Sequence, residues 1–431
     1  MGSTGELLQK LQEGRGDEAL RGLYALDGSD ASLEKGRERA VRVVRAFEAE
    51  FGARPEAALF SGPGRTEIGG NHTDHQHGRV LCGSVDLDML ACAAPNGTDL
   101  VRIQSEGYPA LEVDLRDLKV REEEKNSSPA LVRGVAARLA ELGCRPAGFD
   151  AYVTSTVLSG SGLSSSAAYE ILVATIIDCF FGGGTLDPVE RAKVGQYAEN
   201  VYFGKPCGLM DQMGSSVGGA VAIDFADPAA PVVKKVEYDF TRSGHALCIV
   251  DTGSCHADLT DDYADITREM GAVAAHFGKK FLRDVDEGAF RTALPQLRQE
   301  CGDRAVLRTM HFFEEDCRAE QEAQALEQGD FAAFLALVDQ SGLSSALNLQ
   351  NTWSAAAPQQ QAIPVALAVG RELLGGSGAI RVHGGGFAGT IQAFVPNEKL
   401  ETFQQGMEEL LGPGMCHILH IRPQGGCVVL K

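Results

Sequence analysis

Apolar residues along this 431-residue chain fall into two registers, short unbroken runs and helix-spaced stripes, which follow one another without strict alternation. Two charged, helix-favouring stretches come first, residues 5–26 and 32–51, parted by the turn residues Asp27-Gly28-Ser29-Asp30. In the second, Leu33, Val41, Val44, Phe47 and Phe51 form a partial apolar stripe at helical spacing. Strand-like runs follow at 57–60, 79–91, 99–104, 111–115 and 149–157. A helix is expected over 129–142, where Leu131, Val135, Leu139 and Leu142 share a face, and another that begins in the glycine-serine segment 160–166 and continues through Ile171 to Phe181.

Beyond the apolar run 220–225, Asp227-Pro228-Ala229-Ala230-Pro231 reads as a connection between two halves. The second half opens with strands at 232–240 and 246–251 and turns helical over 260–339. It closes with a helix at 362–374, strands at 379–382 and 390–395, a helix at 398–411 and strands near 417–421 and 427–430. Strands and helices are mixed rather than arranged as repeating βαβ units, which favours an α+β class over a doubly wound sheet. The expected organisation is a helical extension (1–50), an N-terminal domain (51–226) and a C-terminal domain (227–431), because single cores stop growing near about 250–300 residues.

Composition narrows the function classes. Thirty-nine basic against fifty-nine acidic residues give a net charge of -20, which disfavours nucleic acid or an anionic membrane as partner, since both call for clustered Lys and Arg. A cytoplasmic protein is expected, with no signal-peptide pattern at the start and no run of about eighteen uninterrupted apolar residues. Eleven cysteines, scattered singly without a Cys-x-x-Cys pair, indicate reduced thiols rather than a disulfide frame or a zinc site.

Four segments carry candidate chemistry. Gly160-Ser161-Gly162-Leu163-Ser164-Ser165-Ser166-Ala167-Ala168 is a glycine-rich turn entering a hydroxyl-rich helix start. The glycines let the backbone approach an anion, and the free amides and positive dipole end of the helix favour a phosphate there. With so acidic a chain, an anionic nucleotide must be held by such local amides and a few cations such as Arg65. The other segments are a loop from Gly64 to His75 holding Arg65, Glu67, Asn71, His72 and Asp74, the pair Glu199 and Asp211 on opposite sides of a turn, and the glycine run Gly384-Gly385-Gly386-Phe387-Ala388-Gly389. Each alone is ordinary loop punctuation or a serine cap. His72, His75 and His77 do not have the His-Glu-x-x-His spacing of a metal hydrolase.

Together and in this order, the segments resemble the GHMP small-molecule kinases, and more closely the galactokinases. The resemblance runs from about Phe51 to the C-terminus. It departs from the family pattern at Asn71 (family glutamate), His75 (tyrosine), Glu67 (asparagine), Leu158 (proline) and Ala388 (glycine), and the family's Arg-Asp-Asp-Tyr-Glu-Val segment is missing near 344–356. It implies a two-domain GHMP fold with the active site in the cleft between domains, and transfer of the ATP γ-phosphate to the anomeric C1 hydroxyl of galactose. The substrates it implies are the sugar and MgATP, and a monomer is expected.

By the same resemblance, Gly160, Ser161, Gly162, Leu163, Ser164, Ser165 and Ser166 cradle the nucleotide phosphates, Ser166 and Glu199 hold Mg²⁺, and Asp211 is the general base or orienting group with Arg65 beside it. Asn71, His72, Asp74, Gly208 and Tyr263 form the sugar pocket. Hydrogen bonds to a charged group are worth about 1.5–3 kcal/mol against about 0.5–1.5 for neutral ones, so Asn71 in place of a glutamate implies altered recognition at C6 and opens a sugar changed there, such as galacturonate, as an alternative. A non-catalytic sugar sensor is the other alternative; such relatives are associated with a shortened serine-alanine stretch, which is intact here.

Overall fold

The computed structural model describes residues 1–157, 162–254 and 259–431. Its first elements are three helices, α1 (Thr4–Gln12), α2 (Asp17–Tyr24) and α3 (Asp30–Phe51). Ser3 and Glu6 cap α1 reciprocally, and the Ser29 hydroxyl caps α3. They lead into β1 (Ala58–Gly69), β2 (Arg79–Pro95), β3 (Leu100–Ser105), β4 (Leu111–Asp114), α4 (Ser128–Glu141) and β5 (Phe149–Ser155). Next come α5 (Ser165–Ile177), α6 (Pro188–Tyr197), α7 (Met210–Val217), β6 (Ala220–Asp224) and β7 (Val232–Val236).

The rest comprises β8 (His245–Asp251), α8 (Thr260–His276), α9 (Glu287–Glu300), α10 (Asp303–Glu327), α11 (Phe331–Ser344), α12 (Ala362–Leu374), β9 (Ala379–His383), β10 (Thr390–Pro396), α13 (Leu400–Leu411), β11 (Cys416–Leu419) and β12 (Cys427–Leu430). The larger sheet has the order β12-β1-β2-β5-β3-β4, with β6 on β2 and β7 on β6; the smaller is β11-β8-β10-β9. Of these pairings β3–β5 is parallel.

Period-two alternation explains why β1 and β2 are buried on both faces. Leu59, Leu90, Cys92 and Ala94 pack under α1–α3, while Phe60, Ala91 and Ala93 point to the opposite core with α4 and α5. The N-terminal helices are thus one layer of the larger sheet, tied to it by Arg39 and Tyr24, which both hydrogen-bond the buried Asp88 carboxylate. Two organisational expectations change. The segment 227–231 is a hairpin turn joining β6 to β7, with Asp224 opposite Val232, so the strands on either side of it share one sheet. The C-terminal strand β12 returns to pair with β1.

From Ala167 to Ile177, α5 is buried around its whole circumference. With the π-helical turn that follows, Ser165–Gly182 is long and apolar enough to cross a membrane, but 67% of it is buried inside the fold. That burial on every side is why its sequence reads as a run rather than a stripe. α6 and α7 escaped the sequence reading for a related reason: each is short, and α6 carries little apolar periodicity.

Candidate active site

β1 runs straight through the segment read as a loop, so Arg65 lies on a strand rather than in a turn. From there its backbone N–H reaches the Leu163 carbonyl at 3.0 Å. Its guanidinium binds the Gly162 carbonyl and pairs with Asp211, Nε to Oδ1 at 2.8 Å and Nη2 to Oδ1 at 2.6 Å. Asp211 sits in the first turn of α7. Its second oxygen accepts from the Ser164 hydroxyl at 2.8 Å. Burial alone would raise the Asp211 carboxyl, but the Arg65 charge, the Ser164 hydrogen bond and Lys205 hold it below the usual carboxylate range.

Ser164 occupies the N-cap position of α5 in the left-handed region, φ 55°, and makes no side-chain cap bond. Its hydroxyl is spent on Asp211, and among the described residues no side chain caps the first-turn amides of α5. Leu163, fully buried, anchors the turn from below. Gly162 needs to be glycine: its φ is +70° and an added Cβ would come within 3.1 Å of His383 Nδ1. His383 is itself fixed by the Thr66 and Thr390 hydroxyls at 3.0 and 2.9 Å. Gly160 and Ser161, assigned to the same phosphate loop, lie outside the described residues.

Glu199 comes from a π-helical turn, Ala198–Phe203, that continues α6, the kind of distortion that often marks a functional position. One of its oxygens, Oε1, accepts from Ser166 Oγ at 3.3 Å and lies 3.4 Å from Lys205 Nζ; the other, Oε2, accepts from Gln212 Nε2 at 2.8 Å. Gln212 also donates to Glu170 Oε2 at 3.0 Å. Lys205, Gln212 and Glu170 carry no sequence signal of their own, though Gln212 follows Asp211 directly.

The turn after β1 holds three of the residues assigned to the sugar, Asn71, His72 and Asp74. An added Cβ on Gly208 would overlap the Asp74 carboxylate, so these two assigned residues meet. Both line a cavity of about 270 Å³ with His75, Gln196, Cys207 and Leu209. His72, in the left-handed region, donates through Nε2 to the Gly385 carbonyl at 2.9 Å. Burial, reinforced by His75, pushes its imidazole down to about 3, so it is neutral. Tyr263 on α8 donates to the Gly386 carbonyl at 2.9 Å and stacks on His72, with burial pushing its phenol up to about 12. The histidines do not converge as metal ligands: His77 stacks on Phe281 with ring centroids 3.6 Å apart.

Asn71 departs from its expected place. It is fully buried. Its amide donates to Glu67 Oε1 at 2.9 Å and the Gly384 carbonyl at 2.7 Å, and its oxygen accepts from Asn351 at 2.8 Å and Ser345 at 3.2 Å. Its donors and its carbonyl are taken up by protein, so the side chain expected to meet the sugar's hydroxymethyl group instead braces the sugar turn against the glycine run. Glu67 is in turn paired with the buried Arg381 at 2.7 Å. Ala388 fits its turn without a positive φ; the strained residue there is Phe387, at φ 60°.

The galactokinase galactose-binding signature matches residues 45–95, and the GHMP kinase N-terminal domain matches 130–219. The galactokinase of Streptomyces coelicolor is 30% identical over 363 residues, 84% of this chain and 90% of that protein. The chain belongs to the galactokinase family. As a member of that GHMP-kinase family it is an ATP-dependent sugar kinase. The galactokinase fold is evident in a Lactococcus lactis galactokinase solved with galactose, which superposes with a TM-score of 0.75 at 23% identity, covering 89% of this chain and 98% of that one. The wider GHMP fold is evident in the mevalonate kinase of Methanococcus jannaschii, with a TM-score of 0.61 at 14% identity over 85% and 99%. Both family models fall on the larger sheet and its helices, which also carry the residues assigned to the site apart from Tyr263.

Proposed function

We propose that the chain transfers the γ-phosphate of ATP to the C1 hydroxyl of galactose, giving galactose 1-phosphate and ADP. The observation that carries this reading is the Arg65–Asp211–Ser164 cluster, which sets an ionised carboxylate at the mouth of an uncapped helix N-terminus. The amides of α5 and the hydroxyls of Ser165 and Ser166 receive the phosphates. Asp74 and the Gly208 backbone hold neighbouring sugar hydroxyls, with His72 and Tyr263 closing the pocket from the side of the glycine run. The C1 oxygen attacks the γ-phosphorus, the bond from that phosphorus to the bridging β,γ-oxygen breaks, and the proton of the C1 hydroxyl passes to Asp211 while ADP leaves. Arg65 keeps Asp211 ionised, and Lys205 adds a second cation beside the phosphates.

Ser166 Oγ and Glu199 Oε1 are hard oxygen donors 3.3 Å apart, a donor set that suits Mg²⁺, which takes one or two protein oxygens and completes its shell from phosphates and water. Among the described residues no cluster of three or more His, Cys, Asp or Glu side chains offers another ion site. Bound there, Mg²⁺ would neutralise charge on the phosphate oxygens.

Phosphorylation assays with ATP and a panel of hexoses and uronic acids test the reading. Galactose is expected to be the best substrate, with product phosphorylated at C1. Galacturonate belongs in the panel because Asn71, the residue assigned to C6, is uncharged and spent on protein partners. Turnover of a uronic acid with galactose inert would replace the substrate, and binding of galactose without turnover of any sugar would make the protein a sensor.

A further inference from the structure

Three helices bring Glu170, Gln212 and Glu199 together beneath the phosphate turn, and their burial is extreme: Glu170 and Gln212 are fully buried and Glu199 is 2% exposed. The amide nitrogen of Gln212 divides its two hydrogens between the two carboxyls, 3.0 Å to Glu170 Oε2 and 2.8 Å to Glu199 Oε2, with the Cys207 sulfur at 3.8 Å. Two atoms in this chain of contacts, Glu170 Oε1 and Gln212 Oε1, lack a partner among the described residues. A protonated Glu170 resolves both. Its acid hydrogen would go to the Gln212 oxygen while its carbonyl oxygen accepts from the Gln212 nitrogen, closing an acid–amide pair. Burial, with the Glu199 charge nearby, raises the Glu170 carboxyl well above its ordinary value, in keeping with that form. Gly195 seals the pair: an added Cβ would come within 3.0 Å of Glu170 Oε2 and 3.1 Å of Gln212 Cγ.

From this geometry we infer that Gln212, held from its far side by Glu170, is a positioning residue that pins one oxygen of Glu199 inward and presents the other, Oε1, to the metal beside Ser166. The argument is one of rotation. A glutamate carboxylate turns freely about its last bond unless one oxygen is held, and an outer-shell hydrogen bond of this kind commonly governs metal affinity by about 10- to 100-fold. Gln212 and Asp211 are consecutive on α7, so one helical turn aims the proposed base into the cleft and braces the metal carboxylate from behind. The inference rests on Glu199 being a metal ligand, as proposed above.

The test is a Mn²⁺ titration of the full-length protein, followed by electron paramagnetic resonance, in the presence of a non-hydrolysable ATP analogue. Analogue affinity without metal is measured in parallel by calorimetry in chelator. Glu199→Gln is the reference: if it leaves Mn²⁺ affinity unchanged, the metal assignment itself fails. If it weakens binding, Gln212→Met is expected to weaken it about 10- to 100-fold as well, with metal-free analogue affinity within about twofold. Glu170→Gln, whose amide can form the same closed pair, is expected to bind Mn²⁺ within about threefold of the unaltered protein, whereas Glu170→Leu should resemble Gln212→Met. Should Gln212→Met not fold, Gln212→Asn, one carbon short of both carboxyls, carries the same expectation. Unchanged Mn²⁺ binding in the Gln212 variant alongside loss in Glu199→Gln overturns the inference. So does a Glu170→Gln variant as impaired as Glu170→Leu, since the charge of Glu170 would then be what matters.

Discussion

Ser164 and Asp211, 47 positions apart, are joined by a 2.8 Å hydrogen bond that spends the natural capping hydroxyl of α5 on the carboxylate proposed as catalytic base. Asp211 is thereby tied to the helix tip proposed to receive phosphate and, through Arg65, to the strand that leads into the turn holding Asn71, His72 and Asp74. Replacing it with asparagine keeps shape and removes the proton acceptor. The expected result is a kcat lower by about 10²- to 10⁴-fold with galactose binding retained. A variant losing sugar affinity and turnover in proportion would place Asp211 in binding instead.

The pH profile gives a second, independent reading of the same pair. Arg65 holds the Asp211 carboxyl below its usual value of 3.8. The ionised form therefore persists as pH falls, and kcat should show no acid limb from this group above the ordinary carboxylate range. Arg65→Met removes the charge that favours ionisation, so the limb should move to higher pH. Profiles of kcat from pH 4.5 to 8 for both proteins check it. An acid limb in the same place in both would separate the two residues.

Gly208 tests the sugar side. An added methyl would overlap the Asp74 carboxylate, so Gly208→Ala must push it away from the hydroxyls it is proposed to hold. Losing a hydrogen bond to a charged acceptor costs about 1.5–3 kcal/mol, which corresponds to a galactose KM raised by about 10- to 100-fold, with kcat changed much less. Steady-state kinetics decide it. A fall in kcat at constant KM would move the effect from binding to chemistry.

The phosphate side of this site was legible because its residues are neighbours in sequence: Gly162 to Ser166 form one turn, and the Met210-Asp211 context lies a few residues from Gly208. Asn71 was not legible in the same way. Its partners Ser345, Asn351 and Gly384 lie more than 270 residues along the chain, and nothing local distinguishes an amide facing ligand from one saturated by backbone and side chains. The same holds for Lys205 and Glu170, whose roles depend on where a π-helical turn places Glu199. Most strands and the long helices were legible from their period. The layering of the N-terminal helices on the sheet was not, because a partial stripe says that a helix is covered and leaves open by what.

The saturation of Asn71 makes a stability prediction. Asn71→Ala strips hydrogen bonds from buried groups on three segments at about 1–3 kcal/mol for each group left unsatisfied, so unfolding free energy in urea should fall by at least about 2 kcal/mol. Asn71→Asp is the sharper variant. It places a second carboxylate at the position now 2.9 Å from Glu67 Oε1, and like charges at that distance disfavour joint ionisation, raising the new group's folded pKa. An acid whose folded pKa is raised gains relative stability as pH falls. Asn71→Asp should therefore be weakened at pH 7 and recover part of the loss at pH 5, while Asn71→Ala shows no such recovery.

His72 titrates in the opposite sense. Burial pushes its imidazole from 6.5 down to about 3, so between those values the unfolded chain takes up a proton that the folded chain refuses. By linkage, stability falls as pH drops through 6.5, at up to about 1.4 kcal/mol per pH unit, and the loss stops below 3. From pH 7 to pH 5 this one group should remove about 2 kcal/mol. His72→Gln, which keeps a donor for the Gly385 carbonyl but cannot titrate, should be correspondingly less sensitive to acid. Urea unfolding of both proteins at pH 7 and pH 5 measures the difference. Equal acid sensitivity would mean that His72 is protonated in the folded protein and that its ring is more accessible than its 8% exposure implies.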